Sequence, residues 1–125
     1  MNLTRIHQIA LHAEDLNVAR DFYEKKLGAK FIAQYGQHLL FFDFSGIRIL
    51  LEKNAKPATV YFWVENIDVA YDELVSNGIE FDSKPHMIHK DDDGTFGVEG
   101  NEEWMAFFTD PSGNILCIAT QKAPC

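Results

Sequence analysis

The sequence predicts an α+β fold built from two copies of one βαβββ unit, and an internal repeat predicts it. Glu14-Asp15-Leu16-Asn17-Val18-Ala19-Arg20-Asp21 aligns with Glu65-Asn66-Ile67-Asp68-Val69-Ala70-Tyr71-Asp72, with an apolar alternating run before each. Downstream, Leu27-Gly28-Ala29-Lys30-Phe31 matches Asn77-Gly78-Ile79-Glu80-Phe81. Finally, Phe41-Phe42-Asp43-Phe44-Ser45-Gly46 matches Phe107-Phe108-Thr109-Asp110-Pro111-Ser112-Gly113 with one extra residue. A repeat of this kind decides architecture before any single motif does.

Each half reads as strand, helix, then three strands. Residues 6–13 and 59–65 approximate period-two alternation and carry Ile, Val, Tyr, Phe and Trp, as strands with one buried face do. Asp15 and Asn66 are N-cap residues for helices that end before Gly28 and Gly78, where glycine takes the left-handed position. Leu16, Ala19, Phe22, Tyr23 and Leu27 form one helical stripe, and Ile67, Ala70, Leu74 and Val75 the other. The remaining strands fall near 30–35, 38–44 and 47–52 in the first half, and near 80–89, 104–109 and 114–119 in the second.

Composition bounds what the chain does. A length of 125 residues, 46% of them hydrophobic, fills one core and is short for two independent ones, so residues 1–125 read as one domain, with modules at 1–53 and 58–121. A net charge of −8 and a pI near 4.9 argue against nucleic acid and against an anionic membrane. No apolar run approaches the roughly 20 residues of a spanning helix. The polar start MNLTRIHQ lacks the regions of a signal peptide, and a cytoplasmic protein is expected. Cys117 lies in an apolar run and Cys125 is the last residue, a poor pattern for a disulfide framework.

One polar segment, residues 90–103, breaks the repeat and reads as a solvated loop. Asp91, Asp93, Thr95 and Glu102 have calcium-loop spacing, but Phe96 stands where that loop needs glycine and no helices flank it.

The order of strand, Asp-Leu helix start, Phe22-Tyr23, Leu27-Gly28 and a closing Asp110-Pro111-Ser112-Gly113-Asn114 before a final strand resembles the vicinal oxygen chelate superfamily along the whole chain. That superfamily includes glyoxalases, bleomycin-resistance proteins and ring-cleaving dioxygenases, and this chain looks nearest to glyoxalase I and methylmalonyl-CoA epimerase relatives. The resemblance implies that the two modules form a concave mixed sheet with the helices outside, a small-molecule cleft on its inner face, a divalent metal held by first and last strands, and a homodimer.

Mapped residue by residue, the implied metal positions are largely vacated. They fall on Gln8, on Thr59, on Leu50 or Ile49, and on Cys117, with Glu52 two residues beyond Leu50 on the same face. Gln8 and Glu52 are poor metal candidates, so no metal or other cofactor is expected unless an enzyme reading holds. His7 lies one residue off, and strand parity turns it to the opposite face. Alternation sends Gln8, His12, Arg48, Tyr61, Trp63 and Cys117 inward as ligand-binding candidates, with Trp104 as a roof. Arg48 is either paired with Glu52 or free to anchor a carboxylate or phosphate. His86 and His89 are three apart on a strand and are expected on opposite faces.

Two functions follow. The first is a metal-independent binder of a small organic ligand, like bleomycin-resistance members, and the acidic charge favours a cationic one. The second is a divergent lyase or isomerase of the lactoylglutathione lyase or methylmalonyl-CoA epimerase kind, with Glu52, His12 and His86 as catalytic candidates.

Overall fold

The repeat in sequence is a repeat in hydrogen bonding. In the computed structural model, which describes residues 1–124, β1 (Gln8–His12), β2 (Lys30–Tyr35), β3 (Leu39–Phe44) and β4 (Ile47–Glu52) form a sheet of order β1-β4-β3-β2. β5 (Thr59–Trp63), β6 (His86–Lys90), β7 (Glu102–Thr109) and β8 (Ile115–Lys122) form a second of order β5-β8-β7-β6. In each, the first and last strands pair in parallel and the others antiparallel. These are the two expected βαβββ modules, each with its own mixed sheet. The chain divides into two compact units, Met1–Ala58 with Asp110–Asn114, and Thr59–Thr109 with the strand from Ile115 onward. Cys125 lies outside the described residues.

In the first unit, α1 (Leu16–Asp21) starts where its cap dictates: the Asp15 carboxylate accepts from the amides of Asn17 and Val18. It continues as a π-helical turn over Phe22–Lys26 and stops before Gly28, whose φ is 71°. Leu16, Ala19, Phe22 and Tyr23 are buried against the face of the sheet formed by Leu11, Leu40, Phe42, Ile49 and Leu51. In the second unit, Asn66 caps α2 (Ile67–Ser76) through the amides of Asp68 and Val69. The helix lies on β7 and β8, where Ala106, Phe108, Leu116 and Ile118 are buried. Val75, expected in that stripe, is exposed, and Tyr71 packs instead on Phe81 at 4.7 Å between ring centres.

The turn Asp110–Asn114 is a buried polar knot in the first unit. Asp110 accepts from the Tyr23 hydroxyl at 2.6 Å, the Asn114 side chain at 2.7 Å, and the amides of Ser112 and Asn114. Asn114 in turn donates to the His12 carbonyl and accepts from the Ala58 amide. Among the described residues every buried side-chain nitrogen and oxygen has a hydrogen-bond partner, which is what makes the burial affordable. The closing Asp-Pro-Ser-Gly-Asn pattern and the Tyr of Phe22-Tyr23 are therefore structural.

Two sequence expectations change. The strand expected over 80–89 narrows to His86–Lys90, with Phe81 only bridging Phe108, because Pro85 has no amide for a ladder. Residues 91–101 are a closed loop: the Asp91 carboxylate, buried, accepts from the amides of Thr95 and Phe96, and its carbonyl accepts from Gly94 and Gly100. The leading calcium-ligand position is thus spent on backbone amides. Among the described residues, no helix is long and apolar enough to cross a membrane.

Candidate functional site

In each unit the helix covers one face of the sheet, and the other face carries the residues of interest. Cross-strand register assigns them. In the first unit Gln8 pairs with Arg48, Ala10 with Leu50 and His12 with Glu52, so all six share the face opposite the helix. Leu39, Phe41 and Asp43 of β3 join them, as do Ala33 and Tyr35 of β2. Register also decides between the two readings of the position in β4: Leu50 lies on this face, whereas Ile49 is buried with the core residues on the helix side.

Arg48 organises one end of this face. Its Nε donates to Gln8 Oε1 at 3.1 Å and its Nη2 lies 2.9 Å from His7 Nε2. His7 is exposed; its carbonyl accepts from the Arg48 amide and its ring nitrogen meets the Arg48 guanidinium. The guanidinium also stands 5.8 Å from the Phe41 ring centre. Gln8, Ile32, Ala33, Tyr35, Phe41 and Arg48 line a depression of about 190 Å³. No ion pair joins Arg48 to Glu52, which is four residues along the same strand, roughly 13 Å away at strand rise.

At the other end, His12 is fixed by its neighbours. Its Nδ1 lies 3.1 and 3.0 Å from the carbonyls of Lys53 and Ala55, and its Nε2 lies 2.9 Å from Glu14 Oε1. All three partners are acceptors, so the ring serves to pin the segment after β4. Glu52, its cross-strand neighbour, lines a second depression with His38, Leu39 and Lys53.

In the second unit Thr59, Tyr61 and Trp63 pair with Ile115, Cys117 and Ala119, and these with Thr109, Phe107 and Met105. Tyr61 and Trp63 are each more than half exposed on this face (56% and 58%). Trp63 Nε1 donates to Glu65. Cys117 is wholly buried between its strand neighbours Tyr61 and Phe107, whose rings meet edge to face at 5.9 Å. Burial pushes its thiol up to about 11, the Glu103 carboxylate adds to the rise, and a backbone hydrogen bond at Ala106 opposes it. A thiol held protonated is a poor metal ligand.

Two placements differ from expectation. Trp104 lies on the helix-covered face with Ala106 and Phe108, beneath the Lys122 ammonium at 4.1 Å and bonded to Glu102. It does not roof the face that carries Tyr61 and Trp63. His86 and His89 share one face, because a β-bulge between Met87 and His89 absorbs a residue and leaves them opposite Met105 and Glu103. His86 is exposed, with Nδ1 3.1 Å from the Lys84 carbonyl.

The donor set does not fit a divalent metal. Gln8 Oε1 is taken by a cation, Leu50 has no donor, and Gln8 and Glu52 lie four rungs apart. Among the described residues, no group of three or more His, Cys, Asp or Glu side chains is placed to hold one. Sequence reasoning missed the wall of Ile32, Ala33, Tyr35 and Phe41 around Arg48; alternation along β2 and β3 was the available signal, but the bulge between Phe31 and Ala33 blurs it.

Comparison with known proteins follows the fold. No match was found among curated proteins. A lactoylglutathione lyase from Agrobacterium tumefaciens superposes with a TM-score of 0.74 at 18% identity, covering 94% of both chains. A glyoxalase/bleomycin resistance protein/dioxygenase from Nocardioides gives 0.76 at 19%, covering 98% of this chain and 86% of that one. A virulence protein from Salmonella typhimurium gives 0.73 at 23%, covering 95% and 98%. At such identities these similarities speak for the fold. The family model matches residues 5–118, nearly the whole chain, and the protein therefore belongs to the glyoxalase/bleomycin resistance protein/dioxygenase superfamily.

Proposed function

We propose that this protein binds a small organic ligand on its open sheet faces and does so without the metal its superfamily relatives are expected to carry. The observation that carries this reading is the hydrogen bond from Arg48 Nε to Gln8 Oε1. A guanidinium beside the implied metal position supplies positive charge there and opposes a second cation. Exposed aromatic side chains at Tyr35, Tyr61 and Trp63 support an organic ligand, since sites for such molecules combine apolar walls with few polar groups. A cytoplasmic homodimer is part of the proposal. Elemental analysis after dialysis tests it: well under one equivalent of zinc, nickel, cobalt, manganese or iron per chain is expected. Near one equivalent, lost on Gln8→Ala, would return the protein to the metalloenzymes.

A second reading rests on Glu52. Among the described residues its carboxylate has no hydrogen bond or ion pair, and it stands beside His12. A free carboxylate is the group a lyase or epimerase uses to move a proton. Methylglyoxal hemithioacetal, and an acyl-CoA in deuterated solvent, are the substrates to offer. Turnover or exchange lost on Glu52→Gln would establish this reading; no turnover with either is the expected result.

A further inference from the structure

We propose that the depression around Arg48 selects an anion, a small carboxylate with a single-ring apolar body; this deepens the ligand-binding reading and rests on it. The argument is one of unspent donors and unbalanced charge. A guanidinium has five N–H donors in a planar fork and no acceptor. In Arg48 one goes to the Gln8 amide oxygen and one to the His7 ring nitrogen, which leaves three. Neither partner is an anion. Asp43 is the cross-strand neighbour on β3, but its carboxylate accepts from the Gly46 amide in the adjoining turn, and no ion pair to Arg48 forms. In a chain where acids outnumber Lys and Arg 19 to 11, this charge has no carboxylate partner among the described residues.

Gln8 and His7 hold the guanidinium in place from one side, so its free edge is set before a ligand arrives. A carboxylate takes two parallel N–H donors from such an edge, the strongest common pairing for it. Ile32, Ala33, Tyr35 and Phe41 make the rest of the wall, so the ligand body beside the carboxylate is apolar, and Phe41 and Tyr35 offer ring faces or edges to an aromatic one. The depression, about 190 Å³ and open to solvent, is smaller than the roughly 300–1,000 Å³ of drug-sized sites and suits a body of about one ring. Beyond about 8–10 Å the chain's net charge of −8 is screened at physiological salt, and the nearer Asp43 carboxylate is engaged by the Gly46 amide.

The test is a titration of the intact protein at constant ionic strength with benzoate, benzylamine, benzyl alcohol and inorganic phosphate, followed by calorimetry or by shifts of the Gln8 side-chain amide. Benzoate is expected to bind tightest, with phosphate weaker for want of the apolar contact. Arg48→Gln is expected to weaken benzoate at least tenfold and bring it level with benzyl alcohol, whereas Arg48→Lys keeps part of the preference. Arg48 is exposed, and an unchanged circular dichroism spectrum and melt will show that the variants fold. Benzylamine binding as well as benzoate, phosphate matching benzoate, an indifferent Arg48→Gln, or no binding of benzoate would each overturn the proposal. Binding of benzylamine or benzyl alcohol alone would do so while leaving small-molecule binding intact. A stoichiometric metal in the dialysed protein would instead remove the reading beneath it.

Discussion

Single residues in this chain divide sharply into those that hold the fold and those left free. Tyr23 and Cys117 belong to the first kind, and both are acids kept protonated by burial. For Tyr23, burial comes first, and the Asp110 carboxylate that accepts its hydrogen bond adds to it, so its pKa lies far above the ordinary phenol. Cys117 is raised from 9.0 to about 11. A raised pKa means the folded state holds its proton more tightly than the unfolded chain. The stabilisation is therefore complete below pH 9 and is lost as pH climbs from 9 through 11. The urea midpoint is expected to be flat between pH 7 and 8.5 and to fall steeply above it, with Cys117 accounting for about 2–3 kcal/mol by pH 11. Cys117→Ala should make that fall shallower, and an equal slope in both proteins would refute the assignment. The Asp110 knot shows what sequence can and cannot say at this scale. Its residues stood out as a turn, but their bonds to Tyr23, His12 and Ala58 join positions up to 102 residues apart.

Elements were legible where their signals are local. Asp15 and Asn66 cap the helices they precede, and Gly28 and Gly78 take positive φ after them, because these choices depend on a few neighbouring backbone groups. Facing failed where a bulge intervened. One extra residue in β6 puts His86 and His89 on the same side, and nothing in Lys84-Pro85-His86-Met87-Ile88-His89-Lys90 announces it. Trp104 was misplaced for a related reason: Trp104, Phe107 and Phe108 give β7 aromatics of both parities, so alternation does not say which belong to the core. The loop after β6 was legible only as polar. Its closure depends on one buried carboxylate taking two amides, and Asp91→Ala is expected to release it. Limited proteolysis should then cut within residues 92–99 at least several-fold faster. Global stability should fall by only about 1–3 kcal/mol, since the loop lies outside both helix-packed cores. Unchanged protease resistance would show that the backbone bonds of Asp91 suffice.

At the scale of the whole molecule, the chain carries eight more negative than positive charges yet leaves large apolar side chains in water. Tyr61, Trp63 and Ile115 are exposed together on the open face of the second sheet, and Tyr35 on that of the first, where exposed Ile32 lines the Arg48 depression with it. Apolar area of this kind contributes about 25 cal/mol per Å² when it leaves water, whereas two protomers of like charge repel. These terms respond oppositely to salt. Screening weakens the repulsion, with a Debye length near 30 Å at 0.01 M and near 8 Å at 0.15 M, and leaves apolar contact unharmed. The proposed homodimer is therefore expected to tighten as salt rises. Light scattering at micromolar concentration should give about twice 14.3 kDa near physiological salt, with more monomer at about 0.01 M. Tyr61→Glu, which puts a charge into the exposed apolar face, should shift the balance towards monomer at both. A monomer under all conditions would defeat the dimer. A dimer that loosened with salt would place ion pairs, and not these aromatic faces, between the protomers.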